Sequence, residues 1–286
     1  MPSALDLSPQ HRVYAAFAIY SFAMGSIFPR LPDIKQAMGI QEGALGLALI
    51  GVPAGTLISL TLAAPLLERI GFRRALRGLI PLIALFYAIA VHAAGPLSLF
   101  LLLVPVGLMI GATEIIINVE ADRTEALVGR RIMNRAHSFW SFGFFGAGLF
   151  GAGMAHLGVS PGLHLALVVP MALAGVALFL GGYSPAPARA APRFARPTGA
   201  IMVLVAVTLS AMLMEGASLD WSAIYMQSVF EAGPFLSGFA VATFALSQAA
   251  ARFFADGFVD RHSPSGVARA MLVCMAAGLV LVFFSP

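Results

Sequence analysis

Charged residues are scarce in this sequence of 286 residues. Only 10% of the side chains are charged, 59% are hydrophobic and the mean hydropathy is +0.90. An ordinary soluble domain has roughly a quarter of its residues charged. Because so few charges cannot cover a core of this size in water, the composition excludes a soluble domain. It predicts a polytopic membrane protein whose solvent is the lipid bilayer.

Cysteine and lysine are rarer still. Cys274 is the only cysteine, which excludes an intrachain disulfide. Lys35 is the only lysine and does not follow a glycine-rich loop, so the sequence has no phosphate-binding P-loop of an ATP-driven pump. The six histidines form no recognisable metal-ligand motif. We therefore predict no metal, no cofactor and no enzymatic activity.

Long apolar runs are abundant. A bilayer core about 30 Å thick needs about 20 mostly apolar helical residues. Nine runs of roughly that length are present: 13–28, 44–67, 78–94, 96–119, 138–155, 163–182, 199–229, 235–255 and 267–284. The seventh is too long for one straight span, and its Glu215, Gly216 and Asp220 predict either a break or an extension beyond the membrane.

The basic residues predict the orientation of these spans. If the N-terminus is cytoplasmic, fifteen arginines fall on the inside, and only Arg30 and Lys35 fall on the outside. This bias follows the positive-inside rule, so the net charge of +4 indicates membrane topology and not nucleic-acid binding. We predict a multi-pass protein of the inner (plasma) membrane with a cytoplasmic N-terminus.

A linker and a faint internal repeat predict the domain organisation. The segment 183–198 is rich in proline, alanine and arginine and reads as a cytoplasmic linker. It separates an N-terminal half of six helices, 1–182, from a partial C-terminal half of three helices, 199–286. At an offset of about 192 residues, the pair Glu68 and Arg69 recurs as Asp260 and Arg261. We interpret this echo as a duplication that places a binding site between two parallel repeats.

The segment 68–74, ERIGFRR, resembles the loop between the second and third helices of the major facilitator superfamily. A glutamate stands where the family usually has aspartate. The resemblance implies that this loop and its counterpart near the eighth helix form conformational latches on the cytoplasmic side. The latch residues that it implies are Glu68, Arg69, Gly71, Arg73, Arg74, Asp256, Asp260 and Arg261. Charges that flank a membrane span would explain the same residues.

Within the fourth span, Glu114 and Asn118 resemble the E-x-x-x-N pattern of fucose-permease-like members. The segment 134–148, NRAHSFWSFGFFGAG, resembles the start of the fifth helix of that branch. A carboxylate within the bilayer is costly, so Glu114 needs a water-filled cavity or a partner. Since the two residues are one helical turn apart, we predict that they bind a polar solute together and that Glu114 takes a proton. Alternatively, a protonated Glu114 bridges two helices as packing glue.

Glu215 and Asp220 in the seventh span are the second pair of predicted binding residues, since a break at Gly216 would expose backbone groups to a solute. Trp221 and Tyr225 either stack on that solute or belong to an aromatic belt at the membrane interface. His137, beside Ser138, is interpreted as a loop histidine, because neighbours in sequence point to different faces of a helix.

The sequence therefore predicts an all-α membrane protein, a helical bundle of the major facilitator type with about nine transmembrane helices in two parallel repeats. The resemblance implies twelve helices, so the last three are expected to be missing. Its function would be secondary active transport of a small polar solute by alternating access, and the branch suggests sugar-like solutes and proton coupling. The alternative is a truncated or degenerate transporter-like protein that binds or regulates without transporting by itself.

Overall fold

The computed structural model describes residues 7–182, 184–187 and 198–285, and only the backbone at 256, 257, 259, 260 and 264. Within these ranges all regular structure is helical, which agrees with the predicted all-α class. A short 3-10 turn, Phe28–Arg30, follows the first helix. The α-helices are α1 Pro9–Gly25, α2 Leu31–Met38, α3 Glu42–Leu49, α4 Gly51–Leu62, α5 Ala64–Ile70, α6 Phe72–Ala90, α7 Pro96–Val128, α8 Met133–His156, α9 Pro161–Leu180, α10 Gly199–Phe230, α11 Pro234–Arg261 and α12 Pro264–Phe283.

Each predicted apolar run lies on helix, but the second run is divided among α3, α4 and α5. The breaks at Ile50 and Ala63 have the same cause. Pro53 and Pro65 follow the breaks closely, and a proline has no N–H to bond to the carbonyl four residues earlier. The second predicted span is therefore a series of helical pieces.

Six helical segments of the described chain are long and apolar enough to cross a membrane, against nine predicted. They are Glu42–Leu62, Pro96–Val128, Pro161–Leu180, Gly199–Phe230, Pro234–Ala255 and Ser265–Phe283. The other three predicted runs lie on α1, α6 and α8. Helix α1 has only 17 residues, α6 begins with a cluster of arginines, and α8 begins with a polar turn.

The predicted break in the seventh run is wrong. Helix α10 continues without interruption for 32 residues through Glu215, Gly216 and Asp220. The alternative, an extension of this helix beyond the membrane, stays a prediction. A single glycine inside a helix costs only about 1 kcal/mol relative to alanine, which the rest of a long helix easily offsets. No discontinuous helix exposes backbone groups at this position.

The core lies among α1, α6, α7, α8 and α9. Its largest fully buried side chains include Phe17 and Tyr20 of α1, Tyr87 of α6 and Phe144 of α8. In contrast, the most apolar stretches of α10 and α12 contain no buried residue. Such outward-facing apolar surfaces fit a protein whose solvent is hydrocarbon.

Helices α8 and α11 pack closely along their length and so join the two predicted halves. Each of the two helices contributes a glycine that faces an alanine of the other helix. A Cβ atom at Gly148 would lie 2.8 Å from the backbone nitrogen of Ala242, and one at Gly238 would lie 3.0 Å from the Cα of Ala152. Glycine and alanine at membrane helix contacts allow this close approach.

Gly143 of α8 provides a test of this packing against α1. A Cβ atom there would overlap the Ser21 hydroxyl and the Ala18 carbonyl oxygen. We expect Gly143→Ala to destabilise the protein by about 1–3 kcal/mol, because a crowded site must shift to admit a methyl group. Thermal unfolding in detergent measures this. Gly153→Ala on the same helix is the matched control, since its Cβ would meet nothing within 4 Å. Equal stability of the two variants would contradict the packing.

The predicted linker 183–198 lies mostly outside the described residues, which include only 184–187 and 198 of it. The described part is held by Glu120 of α7, whose Oε2 accepts the backbone N–H of Ala186 at 3.0 Å. Arg123 pairs with the other carboxylate oxygen at 3.4 Å. The division into halves 1–182 and 199–286 stays a prediction.

Candidate functional site

Glu114 and Asn118 lie one turn apart on α7, as predicted. The Asn118 Nδ2 donates to Glu114 Oε2 at 2.9 Å and to the Glu114 backbone carbonyl at 3.0 Å. Both side chains are only partly buried. The amide of Asn118 thus holds the carboxylate in one orientation.

His137 lies in the second turn of α8 and not in a loop, so its interpretation as a loop histidine is wrong. Helix α8 begins where it does because Glu125 Oε2 accepts the backbone N–H groups of Ile132 and Met133, at 2.8 and 3.1 Å. This start carries His137 towards α7, where its Nε2 lies 3.2 Å from Asn118 Oδ1.

Arg252 of α11 joins the opposite side of the site. Its Nη2 lies 3.1 Å from Glu215 Oε2 of α10, and its Nη1 donates to the Ser141 hydroxyl at 3.3 Å. Ser141 in turn donates to Gln248 Oε1 at 3.1 Å. The guanidinium carbon also lies 5.8 Å from the ring centre of Trp140. Arg252 is one of the fifteen arginines that the sequence assigns to the cytoplasmic side, next to the second latch loop, and its pairing with Glu215 was not predicted.

The Tyr20 hydroxyl of α1 lies beside the Glu114 carboxyl group and interacts with it. Another buried donor of the site, the indole Nε1 of Trp140, has no hydrogen-bond partner among the described residues. Because buried polar groups are nearly always paired, this indole is a candidate donor to a ligand or to water.

These residues form one connected group from five helices, which we name the central polar cluster. Glu215 and Arg252 lie within electrostatic reach of Glu114 and of His137, so the charges act on one another. The cluster comprises Tyr20, Glu114, Asn118, His137, Ser141, Glu215, Gln248 and Arg252. It brings together three of the four predicted binding residues.

Asp220, the fourth predicted binding residue, lies apart from the cluster. It is partly buried on α10 within electrostatic reach of Tyr87 of α6. Its aromatic neighbours contact other helices. The Trp221 ring lies 3.3 Å from where a Cβ of Gly46 would be, and the Tyr225 hydroxyl donates to the Val282 carbonyl at 3.4 Å.

The predicted latch residues lie at helix ends. Gly71 has φ +84°, a conformation that favours glycine, and it forms the turn between α5 and α6. Arg73 Nη2 donates to the Gly181 carbonyl beyond α9 at 2.7 Å. The side chains of Glu68, Arg69, Arg74 and Arg261 are exposed, and those of Asp256 and Asp260 lie outside the described residues. Among the side chains that are described, no ion pair joins the two loops.

A bundle of apolar helices around a cluster of charged and amide side chains defines a polytopic membrane protein with a polar interior site. Comparison with known proteins agrees. The chain is 25% identical over 280 residues to an uncharacterized MFS-type transporter of Yersinia pestis, covering 96% of this chain and 72% of that protein. It is also 25% identical over 285 residues to an uncharacterized transporter of Sinorhizobium fredii, covering 96% and 74%. No family model matches the chain. These similarities support a membrane transporter of the major facilitator kind.

Proposed function

We propose that the protein is a secondary active transporter that moves a small polar solute by alternating access and couples this movement to protons through Glu114. The solutes that we infer are sugar-like, as in the fucose-permease-like branch that the 114–118 and 134–148 segments resemble. The observation that carries the proposal is the central polar cluster. It draws Glu114 and His137 from the predicted N-terminal half, and Glu215 and Arg252 from the C-terminal half.

The cost of this cluster supports a functional role. A charged side chain within a transmembrane helix is costly, and the cluster contains three of them, on Glu114, Glu215 and Arg252. Arg252 offsets only one of the two glutamates. The side chains of Glu114, Asn118, His137 and Arg252 are partly exposed, so they face space that a solute or water can enter. A purely structural bridge would not need that access.

The charge balance supports proton coupling. Glu215 and Arg252 neutralise each other at 3.1 Å, which leaves the Glu114 carboxylate as the excess negative charge. A proton on Glu114 would remove it. We propose that the proton and the solute bind in the same inward- or outward-facing state and are released together on the other side of the membrane.

The orientation belongs to the same proposal. We place the N-terminus in the cytoplasm and the protein in the inner membrane, on the distribution of arginines. Arg30, which then lies towards the outside, is 2% exposed and pairs with Asp33 at 3.1 Å. The turn and α2 around it contact α10 and α11. We propose that this contact closes the outer side and that the loops 68–74 and 256–261 act as latches on the inner side.

A counterflow assay tests the transport function. The purified full chain is reconstituted in lipid vesicles that are loaded with one neutral sugar or polyol, and entry of the same radiolabelled compound is followed. We expect at least one member of a panel of monosaccharides and polyols to exchange faster than in protein-free vesicles. If no member exchanges and none raises the unfolding temperature of the protein, the transporter proposal is contradicted. A rise in unfolding temperature without exchange would favour a protein that binds without transporting.

A further inference from the structure

His137 lies where charged groups from both predicted halves meet. Its Nε2 is 3.2 Å from Asn118 Oδ1 of α7, while Glu215 of α10 and Arg252 of α11 act on it electrostatically. Its ring packs edge-on against Phe17 of α1, with centroids 5.1 Å apart. No other part of the proposed mechanism uses this side chain.

The hydrogen bonds around Asn118 have a fixed direction. The Asn118 amide nitrogen lies against the Glu114 backbone carbonyl, which can only accept, as well as against the Glu114 carboxyl oxygen, so it must donate towards Glu114 in either protonation state. The amide oxygen therefore faces His137 and accepts. Consequently, His137 carries a hydrogen on Nε2 in this arrangement, and any further proton would occupy Nδ1. One amide thus connects two groups that can each hold a proton.

The net charge of the cluster depends on how many protons Glu114 and His137 hold together. The charged groups that act on His137 directly are Glu215 on α10 and Arg252 on α11. Glu114 on α7 is linked to His137 through Asn118, and Tyr20 on α1 lies beside Glu114. With Glu215 and Arg252 paired, the cluster is neutral when one additional proton is shared by Glu114 and His137. Either Glu114 is a carboxylic acid and His137 is neutral, or Glu114 is a carboxylate and His137 is protonated on both nitrogens.

We propose that His137 is a second proton-holding residue of the central polar cluster, linked to Glu114 through the amide of Asn118. The two residues titrate as a pair, and each exchanges its proton with water. Asn118 is the positioning residue, because its hydrogen bonds to both side chains make the protonation of Glu114 depend on that of His137. This inference rests on the proposed function of Glu114, but its test needs no solute and no transport.

Infrared titration of the full chain in lipid vesicles is the experiment. The carboxylic acid band that Glu114→Gln removes is assigned to Glu114, and its midpoint is measured against pH. We expect His137→Gln to move that midpoint to higher pH by about one unit, a ten-fold change in proton affinity. Glutamine cannot take up a proton, so it cannot provide the positive charge that stabilises the Glu114 carboxylate. Glutamine can still donate a hydrogen bond to Asn118. His156→Gln, at the exposed end of α8, is the matched control and is expected to leave the midpoint unchanged.

A reciprocal measurement guards against a His137→Gln variant that does not fold. In nitrogen-15 spectra of the histidine-labelled chain, Glu114→Gln should move the titration of one histidine to lower pH by the same amount, as linkage requires. An unchanged Glu114 midpoint in His137→Gln, no titrating Glu114 band, or unchanged histidine titrations in Glu114→Gln would each overturn the inference. Lack of counterflow exchange together with a shifted midpoint would instead overturn the transporter proposal and leave the linked pair standing.

Discussion

Arg252→Met is expected to abolish uptake and to lower the stability of the protein. The substitution leaves Glu215, with a side chain 25% exposed, without the cation that lies 3.1 Å away. Breaking a fully buried pair in this way costs about 3–5 kcal/mol. Because both side chains are partly exposed, we expect a smaller loss, about 1–3 kcal/mol. Thermal unfolding in detergent and counterflow exchange measure the two effects.

A double-mutant cycle separates the ion pair from the rest of the arginine's contacts. Glu215→Gln removes the unpaired charge, so the double variant should be more stable than Arg252→Met alone. Exposed Arg131→Met is the matched control and should have little effect on either measurement. Strictly additive losses in the cycle would mean that the Glu215–Arg252 pair does not contribute to folding.

Glu114→Gln is expected to abolish uptake against a concentration gradient while leaving counterflow exchange intact. Glutamine keeps the size and the hydrogen bonding of a protonated glutamate but cannot release a proton. The variant should therefore still move solute in exchange for solute, because that cycle never requires the proton to leave. Uptake driven by a pH gradient should fall to the level of protein-free vesicles.

Exposed Glu231 at the end of α10 offers a control of the same chemistry, and Glu231→Gln should retain gradient-driven uptake. If Glu114→Gln instead keeps the uphill uptake of the unchanged protein, Glu114 carries no coupled proton. If it loses counterflow as well, Glu114 is needed for solute binding, and the separate role in coupling is not supported.

Local sequence patterns were sufficient for part of the fold and the site. Apolar runs locate the helices because burial in lipid requires long stretches without charge. The four-residue spacing of Glu114 and Asn118 places them on one helix face, where the structure finds them hydrogen-bonded. The break predicted at Gly216 does not occur, because the low helix propensity of one glycine is small beside the stability of a helix of 32 residues.

Contacts across the chain account for what local patterns missed. His137 and Asn118 are 19 residues apart, and Arg252 and Ser141 are 111 residues apart, so their pairing depends on how α7, α8 and α11 pack. A signal for Arg252 was nevertheless present. It lies inside the predicted run 235–255, and a charged residue within a membrane span is a functional candidate by default.

Measuring proton movement during solute entry tests proton-coupled transport most directly. Vesicles containing the full chain and an internal pH-sensitive dye are mixed, without an imposed gradient, with a sugar or polyol that shows counterflow. Proton coupling through Glu114 predicts acidification of the vesicle interior as the solute enters, with no such change for Glu114→Gln or for protein-free vesicles. Solute entry without any change of internal pH in the unchanged protein would contradict proton-coupled transport.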